Sequence, residues 1–111
     1  MAKFILLIRE DLSRYPIPKE ELEALIQAHV KWAQQLTHRN IFVDGNGIAS
    51  TGVLVEESGG QLVTAPLRDQ REGVGGYYII EAVDLEAAIT VAKECPTFTY
   101  GDKVEVRPLG G

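Results

Sequence analysis

An imidazole set inside an apolar stripe is the first place in this chain to look for chemistry. His29 falls seven residues after Leu22 and seven before Leu36, among Leu25, Ile26 and Ala33. That spacing is one face of a helix, where Leu or Ala is the usual occupant. Imidazole titrates near neutral pH, so His29 could act as a general acid or base in a cleft at the helix. It could equally be a core residue with satisfied ring nitrogens. Asp44, in "FVDGNG", could orient the imidazole as carboxylates do in catalytic triads. It could also simply make a turn, and the spacing does not establish that the two residues meet. Trp32, one turn from His29, could wall a pocket or fill the core. Tyr78, in "YYII", carries the same pair of readings. In the charged stretch "RDQRE", Arg68 and Arg71 could contact an anionic ligand, or pair with Asp69 and Glu72 in a solvated loop.

Three glycines in four positions, Gly73, Gly75 and Gly76, invite a phosphate-loop reading. A dinucleotide fingerprint needs its glycines after a strand and before a helix, so that the helix amino end meets the pyrophosphate. Here a strand-like run follows, and no Gly-Lys-Ser/Thr appears. The glycines are therefore expected to turn the chain into that strand, or to allow a close approach of other groups.

Metal and redox chemistry find little support. Cys95 is the only cysteine and His38 the only other histidine, projecting from the opposite side of the His29 helix. That excludes an internal disulfide and a cysteine-based metal site. No cofactor or metal is expected. Sixteen acidic against eleven basic residues give a net charge of −5, with no Lys/Arg cluster. Nucleic acid is thus a poor partner, because phosphate binding rests on such clusters. The opening "MAKFILLIRE" is too short for a membrane span and lacks a cleavage-site pattern, which makes a cytoplasmic location the expectation.

The elements that must position these groups follow from periodicity. A chain of 111 residues, 45% apolar and 24% charged, makes one small domain with a thin margin of buried surface. Residues 3–9 read as a strand, and Lys19 to about His38 as a helix with Glu20, Glu21 and Glu23 near its amino end. A short strand ends in "DGNG". Runs 53–57 and 61–65 form a hairpin through Ser58-Gly59-Gly60, and 77–82 form the next strand. Asp84 is placed to cap a second helix over 85–94, which stops before Cys95-Pro96. A last strand covers "DKVEVRPL". The order β-α-β, hairpin, β-α-β predicts an α+β, ferredoxin-like split β-α-β fold with an inserted β-hairpin.

Such a sheet has helices on one face only, yet two of its strands are apolar on both. Phe4, Leu6 and Ile8 alternate with Ile5 and Leu7, while Tyr78 and Ile80 alternate with Tyr77 and Ile79. A half-solvated antiparallel sheet should alternate apolar with polar. A second copy packing sheet against sheet would cover the spare face, so a two-fold homodimer is expected.

The stretches "KFILLIRED", "LEALIQAHVKWAQQL", "GGYYIIEAVDLEAAITVAKECP" and "VEVRPL" together resemble the YCII-related family, and in particular its DGPF-type branch. The likeness covers nearly the whole chain. The name-giving Asp-Gly-Pro-Phe is degenerate: "TAPLRDQREGVGG" keeps only Pro66, with Leu67 in place of the aromatic. The resemblance implies a ferredoxin-like subunit that pairs into a dimeric α/β barrel. It also implies a cleft between helix and sheet holding a His–Asp pair. His29 matches the helix histidine, and Asp44 stands only near the place of the family's Asp.

These readings lead to a cytoplasmic homodimer that binds a small polar or anionic organic molecule. As an enzyme it would carry out cofactor-free proton transfer, either isomerisation or an elimination such as dehydrohalogenation. His29 would be the acid/base, Asp44 its orienter and Arg68 or Arg71 an anion contact. The alternative is a non-catalytic ligand-binding or assembly module in which His29 is packed.

Overall fold

A computed structural model describes residues 1–14, 16–67 and 72–110. Six strands and two helices follow one another as β1 (Ala2–Asp11), α1 (Lys19–His38), β2 (Phe42–Gly47), β3 (Val53–Ser58), β4 (Gln61–Pro66), β5 (Glu72–Ala82), α2 (Leu85–Ala92) and β6 (Lys103–Pro108). Short 3₁₀ turns at Leu12–Arg14 and Pro96–Tyr100 complete the described elements. Strands β2, β5, β1 and β6 lie side by side in that order, every neighbouring pair antiparallel. This is the ferredoxin-like α+β arrangement expected from the sequence. Strands β3 and β4 form a separate two-stranded hairpin between β2 and β5.

Alternation along β1 and β5 makes the core. Phe4, Leu6, Ile8, Tyr78, Ile80 and Ala82 turn to one face, where Trp32 and Leu36 of α1 and Ala88, Val91 and Ala92 of α2 meet them in a single buried cluster. Leu6, Leu36 and Ile80 are fully buried. Truncating one of these side chains to Ala would cost about 2–5 kcal/mol, from lost transfer energy plus the cavity left behind. The opposite sheet face carries Ile5, Leu7, Tyr77 and Ile79, which no helix covers.

The helices begin and end for local reasons. α1 opens on Pro18 with Glu20 and Glu21 in its first turn, where acids favour the helix dipole. It closes where Asn40 adopts a left-handed conformation, φ 60°, and Ile41 N–H returns to the Leu36 carbonyl at 3.2 Å. Asp84 caps α2 as expected, its Oδ1 accepting from the Ala87 N–H at 2.9 Å. α2 ends at Ala92, two residues before the expected stop.

Two expectations need correction. β5 begins at Glu72, so Gly73, Gly75 and Gly76 lie inside the strand and not in a turn before it. Ile8 pairs with Gly76 and Arg9 with Val74, which leaves Gly75 as the extra residue of a β-bulge. The expected buried stripe of α1 is also only half buried. Leu25 and Leu36 are covered, but Leu22 and Ile26 are exposed because the amino-terminal half of α1 overhangs a hollow instead of resting on the sheet. Among the described residues, no helix is long and apolar enough to cross a membrane.

Candidate functional site

That hollow is a cavity of about 330 Å³ between α1, the glycine-rich half of β5 and the end of β2. The glycines make room for it. A Cβ at Gly45 would lie 3.0 Å from the Tyr77 carbonyl oxygen, and one at Gly76 would lie 3.1 Å from that of Asn46. Larger residues would have to shift this backbone. Leu22, Ile26 and Val30 of α1, together with Ile48, give the cavity an apolar side. Its polar residues include His29, Tyr78, Glu10, Asn46, Thr97 and Asp102.

His29 stands half-buried in the α1 wall. Its Nδ1 is 2.5 Å from the Tyr78 hydroxyl, and the two rings stack with centroids 5.8 Å apart. The Tyr78 hydroxyl also lies 3.4 Å from the His29 carbonyl. Two tautomers satisfy this geometry: the phenol donates to Nδ1 and the ring proton sits on Nε2, or Nδ1–H donates to the phenol oxygen and the phenol turns its proton to the carbonyl. Burial lowers the His29 pKa from its usual 6.5, against a smaller upward pull from the Asp102 carboxylate. Burial also raises the Tyr78 pKa, so the phenol remains a proton donor at neutral pH.

The carboxylates of the cavity arrive by different routes. Glu10 follows Phe4, Leu6 and Ile8 on the inward face of β1 and is only 5% exposed. Asp102 precedes β6 and is held from two sides. The Thr97 hydroxyl donates to its Oδ2 at 2.5 Å, and Arg14 Nη2 lies 3.0 Å from Oδ1. The same arginine's Nη1 donates to the Tyr100 carbonyl at 2.5 Å, and its Nη2 lies 3.9 Å from Glu10. Neither acid drew attention in the sequence. Glu10 could have been found from its even-numbered place after three inward apolar residues. For Asp102 no such local signal exists.

His29 and Tyr78 are thus brought together, while Asp44 is elsewhere. It lies in β2 rather than in a turn, paired with Ile79 and accepting from the Tyr77 hydroxyl at 3.1 Å. Tyr77 and Ile79 belong to the sheet face away from the helices, so the expected meeting of Asp44 with His29 does not occur. An offset in the β2–β5 pairing between Phe42 and Asp44 accounts for this placement. Trp32 is buried edge-on against Tyr78, with centroids 4.7 Å apart. Arg68 and Arg71 lie outside the described residues. Cys95 is buried, its thiol pushed up to about 11 by desolvation, which leaves scarcely any thiolate at neutral pH. Among the described residues, no cluster of His, Cys, Asp and Glu could hold a metal ion.

Fold and site together define a small ferredoxin-like α+β domain with one helix drawn over a histidine-bearing cavity. The profile of the YCII-related domain matches residues 2–109, and the chain belongs to that family. Comparison with curated proteins gave no match.

Proposed function

We propose that the chain is a small-molecule-binding homodimer whose cavity performs cofactor-free proton transfer, an isomerisation or an elimination of the dehydrohalogenation type. One observation carries this reading. An imidazole with a lowered pKa stands in the wall of a largely apolar cavity, with its Nδ1 held by a phenol. His29 is the acid/base in this reading, and Tyr78 takes the orienting part first considered for Asp44. An imidazole held at one nitrogen, with a lowered pKa, suits an acid/base that must stay uncharged between turnovers. The cavity volume, about 330 Å³, suits a small organic molecule. The dimer reading rests on the half-buried apolar face of Ile5, Leu7, Tyr77 and Ile79, which lies away from both described helices, and pairing through that face would close the two sheets into an α/β barrel.

Two assays on the full chain test the reaction class. Chloride release from small chlorinated acids and alkanes reports elimination, and deuterium uptake from D₂O into small ketones reports reversible proton abstraction. Activity in either should fall about 10²–10⁴-fold in His29→Ala, the usual contribution of a general acid/base. The competing reading is a non-catalytic ligand-binding or assembly module, favoured by the stacking of His29 on a buried tyrosine. Two silent assays, together with a loss of several kcal/mol of stability in His29→Ala, would decide for that module.

A further inference from the structure

Among the described residues four glycines line the cavity, and packing accounts for three of them. A Cβ at Gly45 would press on the Tyr77 carbonyl, one at Gly75 on the Glu10 carboxylate and one at Gly76 on the Asn46 carbonyl. Gly47 is different. No described atom lies within 4 Å of the place its Cβ would take. Its φ is not in the left-handed region, so backbone strain gives glycine no advantage there. Nor does β2 gain from it, because glycine in a strand costs conformational entropy and packs against nothing. Gly47 pairs with Gly76, and Gly76 with the core residue Ile8, so the missing side chain belongs to the helix-facing side of the sheet. Gly47 is also exposed. A side chain there would enter the mouth of the cavity.

The same mouth is apolar. Leu22, Ile26 and Ile48 line the cavity and yet are 36%, 50% and 45% exposed. Leu22 and Ile26, four residues apart, share one face of α1, across the opening from Gly47 and Ile48. Open hydrocarbon beside a strand position kept free of a side chain suits an apolar chain that approaches the backbone closely.

We propose that Gly47 is a specificity-determining residue, whose absent side chain leaves room at the cavity mouth for the apolar tail of an elongated ligand. The tail lies between Leu22 and Ile26 on one side and Gly47 and Ile48 on the other, while the polar head reaches His29. The inference rests on the reading of the cavity as a binding site. It narrows the ligand from any small organic molecule to one that carries a tail of several carbons.

The 2-ketones from butanone to 2-octanone keep one head and lengthen only the tail, so they make a direct test. Each is titrated into the full chain and into Gly47→Leu, with the His29 ring and the methyl groups of Ile48 followed by NMR. In the wild type, affinity should rise about fourfold for each methylene that leaves water. In Gly47→Leu the rise should stop at a shorter ketone, because the new side chain takes the space of the tail. Ile26→Gln, at an exposed helix position that tolerates a polar residue, is the second variant should Gly47→Leu not fold. It should make the rise per methylene shallower. Wild-type affinity that does not grow with chain length, or identical growth in the folded variants, overturns the tail site while leaving the cavity a binding site. If no ketone moves these signals in the wild type, the binding-site reading falls, and the inference with it.

Discussion

At the residue scale, the chemistry of this chain turns on what surrounds one imidazole. Burial holds the His29 pKa below 6.5 in the folded chain, whereas the unfolded chain leaves it at its usual value. Between those two pKa values the unfolded state binds more protons than the folded one. His29 therefore contributes no pH dependence above 6.5 and progressively destabilises the fold as pH falls below it, until the native pKa has also been passed. Urea unfolding between pH 8 and pH 5 should show this slope, and His29→Gln should flatten it. An unchanged slope in the variant would place the proton uptake on other groups. His29 was recognisable in the sequence because a polar residue interrupted an apolar stripe. Tyr78 was a candidate as well, but its pairing with His29 was not legible, because the bond spans 49 positions of sequence. Only the packing of α1 on β5 brings the two together.

At the element scale, local signals read well wherever they act over a few residues. Asp84 three positions before Ala87 is such a signal, and its cap is present in the fold. Asp84→Ala should cost about 1 kcal/mol, the usual loss for an N-cap, measurable by chemical denaturation. A change within a few tenths would mean that packing of the first turn of α2 holds it without the cap. The glycines of β5 show where local reading ends. Their spacing predicts either a turn into the strand or a close approach of other groups, and does not say which. They are placed by neighbours distant in sequence: Leu12 against Gly73, Glu10 against Gly75, Asn46 against Gly76. Likewise, the stripe of α1 has one period throughout, but the sheet beneath it ends before the helix does. Leu22 and Ile26 consequently roof a cavity instead of joining the core.

At the scale of the whole molecule, two apolar surfaces of the described residues are at least partly open to solvent. One is the sheet face of Ile5, Leu7, Tyr77 and Ile79. The other is the β3–β4 hairpin, where Val53, Val55 and Leu62 are 62%, 60% and 78% exposed. The chain extends 47 Å along its longest axis. The radius of gyration is 15.6 Å, against about 13 Å for a compact domain of this length. A two-stranded hairpin is marginally stable alone in water. Both surfaces support the homodimer proposed above. Light scattering coupled to size exclusion should give twice the mass of the 111-residue chain at micromolar concentration. Leu7→Lys with Ile79→Lys, placing charge on the sheet face, should shift that mass to the monomer. A wild-type monomer would rule the dimer out.

Periodicity, caps and turn residues act over a few neighbouring positions, and so the sequence by itself determined the α+β class, the order of strands and helices, and the apolar helix stripe bearing His29. The tertiary structure alone decided which partners those residues meet. It joined His29 to Tyr78, carried Asp44 to the far side of the sheet, and brought Glu10 and Asp102 from opposite ends of the chain to one cavity. Those outcomes depend on strand register, on a single bulged glycine and on where a helix overruns its sheet. None of these has a local signature, because each is set by the packing of segments far apart in the chain.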